Sequence, residues 1–111
     1  MMKVMWCQAS APTMMQVEEL HIMFPKGLDI VYLKDKSLEM SNALYRKSET
    51  REALYELAQE FVNFCCRNDV DFVVKPMGDT AFYYALGRIT EEHATAPNLL
   101  DIRGDERIVR L

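Results

Sequence analysis

Apolar residues in this chain form short runs, and between them lie longer stretches with helical spacing. Lys3 to Gln8 is brief, apolar and rich in strand formers, which predicts a first strand. After the turn Ala9-Ser10-Ala11-Pro12, the stretch Thr13-Met14-Met15-Gln16 has the form of a capping box, in which two side chains each bond the other's backbone N–H. Val17, Leu20 and Phe24 share one face of the helix it opens, Glu18 and Glu19 are solvated, and Pro25 and Gly27 end it. Leu28 to Leu33 reads as a second, largely buried strand.

The stretch from Lys34 to Lys47 admits two readings. Either Ser37 caps a short helix with Met40, Ala43 and Leu44 inward, or Leu38, Met40, Asn42 and Leu44 alternate as a strand. Residues 28–49 align without gaps onto 70–91. The alignment sets Asp29, Val31, Ala43, Leu44, Arg46 and Glu49 against Asp71, Val73, Ala85, Leu86, Arg88 and Glu91. Two strand-then-helix units reusing one pattern explain this match, and the pattern favours the helix.

Ser48 to Asp69 carries the clearest periodicity. Leu54, Leu57, Ala58, Phe61, Phe64 and Cys65 share one helical face, with Glu49, Glu52, Glu56 and Glu60 opposite. Asn68 and Asp69 close that helix, and a third strand follows over Val70 to Val74. Asp79 caps a further helix with Phe82, Leu86 and Ile89 on one side, and His93 to Asn98 reads as a loop. The last thirteen residues, Leu99 to Leu111, form either a hairpin about Gly104-Asp105 or an arm lying on a partner subunit.

The order β-α-β-α-α-β-α with a terminal hairpin predicts a single α/β domain over residues 1–111. Its sheet is short and mainly parallel, flanked by helices in a Rossmann-like order. If residues 38–46 are a strand instead, the alternative is a ferredoxin-like α+β fold.

Composition narrows the function classes. The chain has 111 residues, 50% of them hydrophobic, with a net charge of -4, which excludes a disordered tail and a large multi-domain enzyme. The acidity disfavours nucleic acid and anionic membrane surfaces as partners. Cys7, Cys65 and Cys66 show no disulfide-scaffold spacing, so a reduced, cytoplasmic protein is expected. Val4 to Cys7 imitates the core of a leader peptide, but real ones need roughly 7–15 apolar residues. No membrane span is expected.

Candidate chemistry is sparse. In a parallel sheet, ligands bind beyond the carboxyl ends of the strands, where helix N-termini offer free N–H groups. The turns there carry Gln8, Ser10 and Thr13 after the first strand, Lys34 and Ser37 after the second, and Lys75, Gly78, Asp79 and Thr80 after the third. A phosphate-containing ligand or nucleotide suits such turns, although Ser, Thr and Asp also serve as ordinary helix caps. The segment Gly78 to Gly87 is similar to the G-T-A-x-E…A-L-G stretch of nucleoside deoxyribosyltransferase-like Rossmannoid proteins. Aromatic residues replace its glutamate here, and the spacing is shorter, so no carboxylate stands where a glycosyl intermediate needs one.

His21 and His93 belong to no metal-ligand pattern, and no metal or cofactor is expected. Tyr83 and Tyr84 cannot both face inward beside Phe82 and Leu86, so at least one is an exposed interface anchor. The expectation is a non-catalytic interaction module, a regulator or inhibitor and a homodimer. It binds another protein through Glu49, Glu52, Glu56, Glu60, Tyr83 and Tyr84. The alternative is a small ligand-binding domain, or a minimal enzyme, using the strand-to-helix turns.

Overall fold

The computed structural model describes residues 1–45, 50–74, 80–93, 95–104 and 107–110. Its elements in chain order are β1 (Met2–Trp6), α1 (Met14–Met23), β2 (Leu28–Tyr32), α2 (Leu33–Lys36) and α3 (Leu38–Tyr45). They continue with α4 (Arg51–Arg67), β3 (Phe72–Val74), α5 (Thr80–Glu92), β4 (Asn98–Ile102) and β5 (Ile108–Arg110). The five strands form one sheet in the order β2-β1-β3-β4-β5, parallel except for the last, which runs antiparallel to β4.

Residues 38–45 are helical, which removes the ferredoxin-like alternative. The cause is local: the Ser37 hydroxyl accepts the Met40 N–H at 3.1 Å and starts a helix that buries Leu44. The capping box before α1 is also formed, with Gln16 N–H donating to Thr13 Oγ1 at 3.1 Å and Thr13 N–H to Gln16 Oε1 at 2.9 Å. Thr50 caps α4 in the same manner. The one-turn helix α2, directly after β2, had no signal in the periodicity.

Strand order decides which helix covers which face. Right-handed crossovers place the helix between β1 and β2 on one side of the sheet, and those leading to β3 and β4 on the other. Side chains alternate along each strand, so the sheet feeds two separate cores. On the α4–α5 side, Met5 and Val73 pack against Ala58, Phe61, Val62 and Cys65 of α4 and Phe82, Ala85, Leu86 and Ile89 of α5. On the α1 side, Val4, Trp6, Phe72, Val74, Leu100 and Ile108 meet Leu20 and Phe24. Burial of each large apolar side chain contributes roughly 1.5–3 kcal/mol.

The C-terminal hairpin is present, and it is an integral part of the sheet. β4 pairs with β3 on one side and β5 on the other. Glu19 on α1 fastens β5 from above: its Oε2 accepts the Ile108 N–H at 2.8 Å, and its Oε1 lies 3.8 Å from Arg107. In the antiparallel register, that N–H points away from β4, so the carboxylate occupies part of an otherwise open sheet edge.

Candidate functional site

Two regions contain the residues singled out by sequence. The first is the carboxyl edge of the sheet. Trp6 ends β1 with its indole N–H donating to Ser10 O at 2.6 Å, which folds the following loop back over the strand end. Three clefts of about 190, 210 and 220 Å³ open beside this loop, and Gln8 lines all of them. Ser10 and Lys34 each line two, together with the aromatic rings of Trp6 and Tyr32.

The structure therefore brings Gln8, Ser10 and Lys34 together. Thr13 and Ser37 lie nearby, but their hydroxyls are engaged as helix caps. Lys75, Gly78 and Asp79 fall outside the described residues, and Thr80 opens α5. Each cleft is smaller than the roughly 300–1,000 Å³ that small-molecule sites occupy.

Covalent chemistry finds no support in the thiols. Cys7 lies at the end of β1 in the α4–α5 core, and burial, with Cys65 close by, pushes its thiol well above the ordinary value. Burial likewise lifts Cys65 to about 12. A nucleophilic cysteine needs the opposite shift. Cys66 is exposed at the margin of α4, with Sγ 3.5 Å from Thr95 O. Among the described residues, no three His, Cys, Asp or Glu side chains converge to hold a metal, and no helix is long and apolar enough to cross a membrane. Nor does any buried side-chain nitrogen or oxygen among them lack a hydrogen-bond partner.

The second region is the seam where α4 and α5 pack together. Of the adjacent tyrosines, Tyr83 turns inward: it is half-buried and its hydroxyl donates to Leu100 O at 3.1 Å. Burial, with Asp101 and Cys7 nearby, raises its pKa. Tyr84 stays 64% exposed. Arg88, one turn further along α5, donates to the Tyr84 hydroxyl at 3.4 Å, and its pKa is raised by that bond and by nearby Tyr84 and Tyr55.

On α4, the Arg51 guanidinium lies 5.6 Å from the centre of the Tyr55 ring. Two tyrosines and two arginines thus line the seam. Glu52, Glu56 and Glu60 are exposed on the adjoining stripe of α4, as their spacing implied, while Glu49 lies outside the described residues. Sequence reasoning missed Tyr55, Arg51 and Arg88, because their relevance depends on which helix packs beside which. No family model, curated protein or solved structure matches this chain.

Proposed function

We propose that this protein is a non-catalytic interaction module of regulatory type, and that its docking face is the α4–α5 seam. The observation that carries this reading is Tyr84, a large aromatic left 64% exposed beside Arg88, which in turn lies near Tyr55 with Arg51 over its ring. Tyrosine and arginine dominate binding hot spots, because each supplies large contact area and a polar tip at modest entropic cost. The acidic stripe Glu52, Glu56 and Glu60 borders the seam, so the partner would present a basic rim around a pocket for one aromatic ring. Such complementarity speeds encounter and fixes register more than it adds affinity.

As parts of the same proposal, the chain is a cytoplasmic protein and a homodimer, the latter checked by sedimentation velocity. The principal test is affinity capture with immobilised protein, comparing wild type, Tyr84→Ala, Glu52→Lys/Glu56→Lys and an Ile22→Ala control on exposed α1. A partner retained by wild type and Ile22→Ala but lost by the other two supports the proposal. Equal retention by all four overturns it.

A second reading rests on the convergence of the carboxyl-edge clefts at Gln8. In that reading, Gln8, Ser10 and Lys34 hold a phosphate-bearing ligand. A rise in melting temperature with nucleotide or inorganic phosphate, abolished by Lys34→Ala, would favour it over the interaction face.

A further inference from the structure

A further cavity lies at the opposite, amino edge of the sheet. It measures about 550 Å³, within the range of small-ligand sites and well above each cleft at the carboxyl edge. Met1, Met2, Met23, Phe24 and Pro25 supply an apolar wall. Methionine and phenylalanine together give an adaptable, polarizable surface for an aliphatic or aromatic body.

The polar groups at this pocket are few and of both signs. Arg110 reaches it from β5, its guanidinium held 4.9 Å from the Phe72 ring centre and 5.8 Å from that of Phe24. Those two rings pack against each other at 4.6 Å. The two rings hold the guanidinium carbon near this pocket, and the N–H fork of a guanidinium matches a carboxylate. Asp71 stands just ahead of β3, and its Oδ2 accepts the Lys3 N–H at 2.9 Å, which orients the carboxylate. Both residues line the cavity, and among the described residues they form no ion pair with each other. Lys26 adds a second cation at the same pocket.

We infer that this amino-edge pocket binds a small zwitterion with an apolar body, namely an apolar α-amino acid or a short apolar peptide. Its carboxylate meets Arg110, its ammonium meets Asp71, and its side chain lies on the Met–Phe wall. A simple fatty or aromatic acid forgoes the contact with Asp71, and an amine without a carboxylate forgoes the one with Arg110. Both side chains are exposed, so a ligand carrying both charges gains over either by one charge-assisted contact. The inference is independent of the α4–α5 proposal, since the two surfaces share no residue.

The test is thermal shift followed by titration calorimetry on the whole chain. The probes are L-phenylalanine, L-methionine, a Met-Phe dipeptide, N-acetyl-L-phenylalanine and L-phenylalaninamide. A saturating zwitterion should raise the melting temperature by about 5 °C at ten times its Kd. The acetylated and amidated forms should bind at least about tenfold more weakly, which is the loss of one charge-assisted contact. Arg110→Gln should remove the preference for phenylalanine over its amide. Asp71→Asn, which keeps an oxygen for the Lys3 N–H, should remove the preference over the acetylated form. Tighter binding of the free amino acid or of the dipeptide supports the site and assigns its source. Absence of a saturable shift, equal binding of phenylalanine and N-acetyl-phenylalanine, or shifts unchanged in both variants would overturn it.

Discussion

Replacing Glu19 by Ala tests how the C-terminal strand is held. The carboxylate bonds the backbone N–H of Ile108, 89 residues away, at 2.8 Å, and so adds a polar tie between α1 and β5 to the packing of Leu20 with Ile108. A hydrogen bond to a charged group contributes about 1.5–3 kcal/mol when its loss leaves a partner stranded. The Ile108 amide sits at a sheet edge where water can reach it, which favours the lower end of that range. The Arg107 contact, at 3.8 Å to a side chain that is 68% exposed, adds little in screened solvent.

Glu19→Ala should therefore cost about 1.5–2 kcal/mol and lower the melting temperature by roughly 5–10 °C. Glu19→Gln keeps an acceptor oxygen and should lose about half as much. Urea unfolding measures the totals, and native-state hydrogen exchange reads the Ile108 amide directly. Ile108 exchange in Glu19→Ala that is as slow as in wild type would refute the reasoning.

Four further outcomes follow from the packing and the thiols. Phe61 is fully buried and meets Phe82 edge-on at 6.1 Å, so Phe61→Ala should cost about 3–5 kcal/mol in urea unfolding. Tyr84→Ala should stay within about 0.5 kcal/mol of wild type in the same assay. Cys65 is raised to about 12 and Cys7 is raised too, so their stabilising effect is complete below the unfolded thiol value and is lost as pH climbs towards the folded ones. Above about pH 8.5, stability should fall by as much as ~1.4 kcal/mol per pH unit per thiol, and the decline should be shallower in Cys65→Ala. A thiol reagent applied to the native protein should label Cys66 first and leave Cys7 and Cys65 protected, as mass spectrometry will read.

What the residues reveal on their own is mostly local. The capping box at Thr13, the Ser37 cap, the face carrying Ala58, Phe61 and Cys65, and the strand Phe72–Val74 are all short-range patterns with a physical cause within a few positions. The acidic stripe also follows from helical spacing, as does the exposure of at least one of Tyr83 and Tyr84, while which of them turns inward is set by the bond to Leu100 O. What spacing does not encode is adjacency. Nothing near Leu99 indicates that β4 lies beside β3, and nothing near Arg110 indicates that it crosses onto Phe72. Val62, four residues after Ala58 and three before Cys65, lies on the same buried face by helical spacing, although sequence reasoning missed it. The arginines of the seam and the whole amino-edge pocket are, by contrast, products of tertiary contact.

The most direct measurement is the affinity of a purified captured partner for wild type and for Tyr84→Ala, by biolayer interferometry at two salt concentrations. A tyrosine at the centre of a docking face contributes about 2 kcal/mol or more, so Tyr84→Ala should weaken Kd by at least ~30-fold. Wild-type association should slow as salt screens the Glu52–Glu60 stripe. A Kd within about twofold of wild type, where 1.4 kcal/mol corresponds to tenfold, would contradict the assignment of the α4–α5 seam as the docking face.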